Sequence, residues 1–93
     1  MKVKNMTSSR GNKVANQFIV EGDHYGQSGL FFQSYSSVIA FRPSNGSSIT
    51  LDRSKWDYSV TTGKYRNQFL GEKKKDTERK IESGEYILAD LNA

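Results

Sequence analysis

Ninety-three residues carry 14 lysines and arginines against 10 aspartates and glutamates, a net charge of +4, with 34% hydrophobic residues and no cysteine. This length suits one small domain, residues 1–93, that buries roughly 60–65% of the surface of its unfolded chain. Disulfides and thiolate metal clusters are excluded. No apolar run approaches the ~18 residues that cross a bilayer, and the polar start lacks a signal-like segment, so a cytoplasmic protein without a membrane partner is expected.

Residues 1–13 hold Lys2, Lys4, Arg10 and Lys13 with no acid. They form either a loose basic arm or an edge strand anchored by Val3 and Met6. From Val14 to Val20 apolar and polar residues alternate, which predicts a strand of about seven residues. Glu21–Gly29 reads as a loop holding Asp23 and the lone His24. Leu30–Tyr35 and Val38–Arg42 are strand-like and separated at Ser36-Ser37 by a tight turn or a bulge. Pro43-Ser44-Asn45-Gly46-Ser47 predicts a hairpin, because Asn and Gly both tolerate the left-handed backbone of a type I′ turn. Ser48–Asp52 then alternates as a further strand.

Beyond Asp52 the pattern becomes helical. Ser59, Thr61 and Thr62 are competent N-caps, since each hydroxyl can accept a bond from a free amide of the first turn. Tyr65 and Phe69, four apart, form one apolar face with Leu70 beside them, and Gly71 suits a C-cap or a kink. Glu72–Ser83 predicts a second, surface helix with an Asp76–Lys80 pair and Ile81 as its one large apolar anchor. Gly84 stops it, and Tyr86–Leu91 returns as a last strand. The expected fold is α+β: a small antiparallel sheet, a meander of four to five strands with an Asn-Gly hairpin, packed with one or two C-terminal helices. Phe18, Val20, Phe32, Ile39, Phe41, Ile49, Leu51, Phe69 and Leu70 are the expected core, with Trp56 partly buried at the strand-to-helix junction.

Catalytic chemistry finds little here. His24 beside Asp23 is a single imidazole without a cysteine or a serine in nucleophile-elbow context, and it reads as a solvated loop residue. One histidine with scattered acids is weak zinc coordination, and no phosphate-cradling glycine motif is present. No catalytic, metal or cofactor site is therefore assigned, and a non-enzymatic protein is expected. Single-stranded nucleic acid, by contrast, is held by aromatic platforms and cations. Tyr35, Phe41, Trp56, Tyr58 and Tyr65 offer rings, although most rings in so small a domain fill the core. Arg42, Arg53, Lys55, Lys64 and Arg66 offer cations nearby. The set that points outward, Arg53, Lys55, Tyr58, Lys64 and Arg66, is the expected contact surface. Lys73-Lys74-Lys75, between Glu72 and Asp76, reads as a solvated helix start.

The strings SSRGNKVANQF (8–18), FFQSYSSVIA (31–40), the Asn-Gly turn leading into SSITLD, and above all WDYSVTTGKYRNQFLGE (56–72) resemble a family of small, uncharacterised bacteriophage proteins. The resemblance implies a phage-encoded accessory protein in the bacterial cytoplasm and transfers no catalytic residue. The expected partner is nucleic acid or a nucleoprotein. The alternative is a protein inhibitor of a host defence system, anti-CRISPR-like or similar, acting by protein–protein contact. A homo-oligomer also fits, because a small core with unpaired sheet edges gains from a second copy.

Overall fold

The computed structural model describes residues 2–92. Its elements in chain order are β1 (Val3–Thr7), β2 (Lys13–His24), β3 (Gln27–Ser34), β4 (Ser37–Pro43), β5 (Thr50–Asp52), α1 (Val60–Leu70), α2 (Lys74–Glu82) and β6 (Ile87–Ala89). The α+β class is as expected. The sheet, however, has six strands in the order β1-β2-β3-β4-β5-β6, and its last pair is parallel. Parallel pairing follows from the connection: α1 and α2 form a crossover that returns the chain to the end from which β5 started. The first residues form the edge-strand alternative, since β1 pairs with β2 from Val3 onward.

Local chemistry explains where the turns fall. The loop expected over Glu21–Gly29 shrinks to Tyr25-Gly26, both at positive φ (49° and 81°), as a twisted two-residue hairpin requires. Strand pairing continues on either side because Gly22 lies opposite Gly29, where the ring of Phe41 covers the backbone. A Cβ on Gly29 would lie 2.8 Å from Phe41 Cζ, so only glycine admits the ring. Between β3 and β4 the register passes from Phe32 opposite Ala40 to Gln33 opposite Val38, a bulge that leaves Ile39 extra. Ile39 and Ala40 are both fully buried as a result. The Asn-Gly hairpin does not form as a two-residue turn. Pro43 stays paired with Gly29, Gly46 alone takes positive φ, and residues 44–49 make a wider loop in which Asn45 Oδ1 accepts from the Ser47 amide at 3.0 Å.

α1 begins and ends as its sequence predicts. Ser59 Oγ accepts from the Thr62 amide at 3.1 Å, and Gly71 closes the helix at φ 71°. α2 carries a different ion pair from the one expected: Asp76 bonds Arg79 at 3.0 Å, while Lys80 reaches back to Glu72 at 2.7 Å. Glu72 is nearly buried and accepts from Lys80, Thr77 (2.6 Å) and the Tyr86 hydroxyl (2.8 Å), tying the α1–α2 junction to the approach of β6.

Both helices lie on one face of the sheet. The core between them holds Met6, Phe32, Ile39, Ala40, Leu51, Tyr65, Phe69 and Tyr86, with Ile49, Trp56, Leu70 and Ile81 packed at its margin. Two expected core residues lie elsewhere. Phe18 and Val20 are in register with Gln33 and Phe31, on the opposite face, where strand alternation turns them away from the helices. Phe41 is buried as expected but on that same outer face, its ring 4.6 Å from Phe31 and 5.2 Å from His24. His24 is thus a strand residue packed among rings, not a solvated loop residue, and Asp23 faces the other way, accepting from Ser28 Oγ at 3.0 Å. Among the described residues, no helix is long and apolar enough to cross a membrane.

Candidate functional site

The segment between β5 and α1 places the residues on which the sequence concentrates rings and cations. Asp52 organises it: its carboxylate accepts from the backbone amides of Ser54 (3.2 Å), Lys55 (2.9 Å) and Leu91 (2.7 Å), closing a turn that carries the chain from the sheet to Trp56. Ser59 then starts α1, and its first turn forms the rim of an open cleft of about 630 Å³. Tyr58, Val60, Lys64, Arg66, Asn67 and Lys74 are among its lining residues.

The five residues expected to form one contact surface divide into three groups. Tyr58 and Lys64 meet at the cleft, Tyr58 43% exposed and Lys64 on the exposed face of α1. Lys55 lies outside it, beside a separate depression with Asp52, Asp90 and Asn92, but its ammonium sits 5.1 Å from the Tyr58 ring centroid. Arg53 is held at the sheet, donating through Nη2 to the Leu88 carbonyl at 3.2 Å.

Arg66 is not an outward contact. Its side chain is 1% exposed, with Nη1 donating to the Trp56 carbonyl (2.7 Å) and to Asp57 (3.1 Å), and Nη2 donating to Asn67 Oδ1 (2.9 Å). The guanidinium also lies 5.2 Å from the Trp56 ring centroid and packs beside Gly63 on the same helix. The helical positions 62, 65, 66 and 69 form one face, so Arg66 shares the buried side of α1 with Thr62, Tyr65 and Phe69. It forms the floor of the cleft and holds the junction together.

The expected rings are mostly structural. Phe41 and Tyr65 are buried and Trp56 is half-buried beneath Arg66, which leaves Tyr58 and Tyr35 accessible. Lys74 is the cation that sequence reading missed. Its side chain is half exposed and its ammonium bonds Asp57 at 2.7 Å, bringing the start of α2 to the cleft. No local signal could have found this pair, because 17 positions separate the partners and Lys74 reads as one of three solvated lysines. The bond to Lys74 holds the Asp57 carboxyl below its ordinary range, against the opposing effect of burial and with further help from Arg66. The cleft thus presents two lysines, Lys64 and Lys74, above the buried Arg66 and beside the Asp57 carboxylate, with a tyrosine at its lip. Such a lining can receive an anion beside an aromatic face. No group of three metal-ligating side chains is placed to hold a metal ion among the described residues.

Residues 1–85 match the model of a family of unknown function, DUF8033, and the chain belongs to that family. No curated protein and no solved structure matches it.

Proposed function

We propose that this member of the DUF8033 family is a non-enzymatic, phage-encoded accessory protein of the bacterial cytoplasm that contacts nucleic acid, or a nucleoprotein, through the cleft at the start of α1. The supporting observation is the convergence of Lys64 and Lys74, from two different helices, on a cleft that Tyr58 borders. A phosphate would sit between the ammonium groups, and an unstacked base would lie on the tyrosine ring; this division of labour is the one by which single strands are bound. Lys55, over the Tyr58 ring at 5.1 Å from its centroid, both orients that ring and extends the positive field. Arg66 acts beneath them as a positioning residue, through its bond to the Trp56 carbonyl. The phage origin rests on the resemblance of the 56–72 string.

Anisotropy titrations with labelled single-stranded DNA and RNA test this reading. Binding should weaken linearly in log salt, with a slope near −0.7 for each phosphate contact, so Lys64→Ala with Lys74→Ala should reduce the slope by about 1.4. Absence of micromolar binding to either strand type at low salt would refute it. One observation favours the alternative, an inhibitor of a host defence protein: Val60, 92% exposed, stands beside Tyr58 at the rim, an apolar and aromatic pair of the kind that anchors protein interfaces. Recovery of one host protein from nuclease-treated lysate, lost with Val60→Asp, would select that reading instead.

A further inference from the structure

The outer face of the sheet carries a continuous row across all six strands: Val3, Val20, Phe31, Phe41, Thr50 and Ile87, each the register partner of the next. Its two ends are open, with Val3 60% and Ile87 49% exposed. At its centre Phe41 and Thr50 are buried, 0% and 7% exposed, with Phe41 packed against the rings of Phe31 and His24, which are themselves half-buried and form part of the surface. An uncharged face of this kind, apolar at both open ends, on a chain with 24 charged residues in 93 marks a site of association.

We infer that this face docks a second copy of the chain, sheet against sheet. Charge selects the occupant. Within the row and the rows on either side of it there is no lysine, arginine or glutamate. The one carboxylate there, Asp52, is 3% exposed and bonded to three backbone amides. A nucleic acid would meet no cation on this surface. A second copy, carrying +4 like the first, meets no like charge if it approaches by this face.

Symmetry and size agree with a copy as occupant. A two-fold axis between the sheets and parallel to the strands sets Val3 and Val20 against Ile87 of the other copy and aromatic centre against aromatic centre. An axis along the row sets each residue near its own equivalent. Either way apolar meets apolar, as an isologous interface needs. Five strand spacings of about 4.8 Å by some 20 Å along the strands give roughly 500 Å² per copy, about the 1,000 Å² in total that separates specific interfaces from adventitious contacts. Tyr25 adds a mark at one end. It is 94% exposed, edge-on to His24 at 4.5 Å, and held at φ 49°, a conformation uncommon for a bulky side chain. A second sheet would give that exposed ring a partner.

Sedimentation equilibrium over about 1–500 µM protein tests the inference, which stands independently of the cleft; this range brackets the affinities expected for so small an interface. The wild-type chain should sediment as a dimer at the upper end. Val3→Asp with Ile87→Asp, both at exposed ends of the row, should weaken self-association by about 100-fold or more, because two carboxylates per copy are then desolvated without partners. Melting of the double variant should stay close to wild type, and Ser9→Asp, a charge placed off the face, should leave the dimer intact. A benzophenone side chain at position 87 should cross-link to a second copy. A 10.5 kDa monomer throughout the series, an unweakened dimer in the double variant, dissociation by Ser9→Asp, or cross-linking solely to a different protein would each overturn the inference.

Discussion

Arg66→Ala separates a structural guanidinium from a contact residue more sharply than any other substitution. The bond from Nη1 to the Trp56 carbonyl is made at a side chain only 1% exposed, and a hydrogen bond from a charged donor contributes about 1.5–3 kcal/mol. The pair with Asp57 counts for less, because that carboxylate is 32% exposed and keeps Lys74; roughly 0.5 kcal/mol is reasonable for a pair so open to solvent. Removing the guanidinium from between Trp56 and Gly63 leaves a void that the rigid helix cannot close, at a further cost of about 1 kcal/mol. The variant should therefore lose about 3–4.5 kcal/mol, which for a domain of this size lowers the melting temperature by roughly 12–36 °C. Urea titration followed by tryptophan fluorescence measures the loss directly, since Trp56 is the only tryptophan. Arg66→Lys, which keeps the charge but not the planar fork, should fall between the two. A stability within about 0.5 kcal/mol of wild type, the range of an ordinary surface substitution, would refute the buried role and return Arg66 to the contact surface.

Two further outcomes follow from buried polar groups. Gln17 is fully buried on the helix-facing side of β2, and neither amide atom has a hydrogen-bond partner among the described residues. Gln17→Met keeps the shape and removes an uncompensated polar group, so the urea midpoint should rise by the equivalent of about 1–3 kcal/mol, and a fall would show that the amide is satisfied. Tyr86 is pushed up to about 12 by burial and by its bond to the Glu72 carboxylate. Its folded-state value lies above the ordinary 10, so the native state holds the proton more tightly, and the stability it contributes is complete below pH 10 and lost as pH rises toward 12. Absorbance titration of wild type against Tyr86→Phe should assign the last phenol to ionise to Tyr86, and a Tyr86 midpoint near 10 would contradict the buried Glu72 bond.

The α1 helix shows how much of the site was readable in advance. Its cap at Ser59, its apolar pair Tyr65 and Phe69, and its stop at Gly71 each depend on neighbours within a few positions. Arg66 was misread for the same reason. Nothing local distinguishes it from Lys64, and its burial depends on a carbonyl ten residues earlier that folds back over the helix. Lys74 was missed because its partner Asp57 belongs to a different element. The strands behaved likewise: alternation identified Phe18 and Val20 as residues of one face, yet could not say which face the helices would cover.

The order of elements, the caps and stops of the helices, the α+β class and the gathering of rings and cations around residues 56–70 were determined by the sequence alone. They rest on short-range terms: side-chain period, hydroxyl caps, and glycine where φ is positive. The parallel pairing of the last strand, the wide loop at Asn45-Gly46, the burial of Arg66, the approach of Lys74 to Asp57 and the apolar row on the outer face were decided only by tertiary structure. The physical reason is common to all of them. Each is set by which surface the helices cover and which strand ends they bring together, and those long-range contacts have no counterpart in the spacing of residues along the chain.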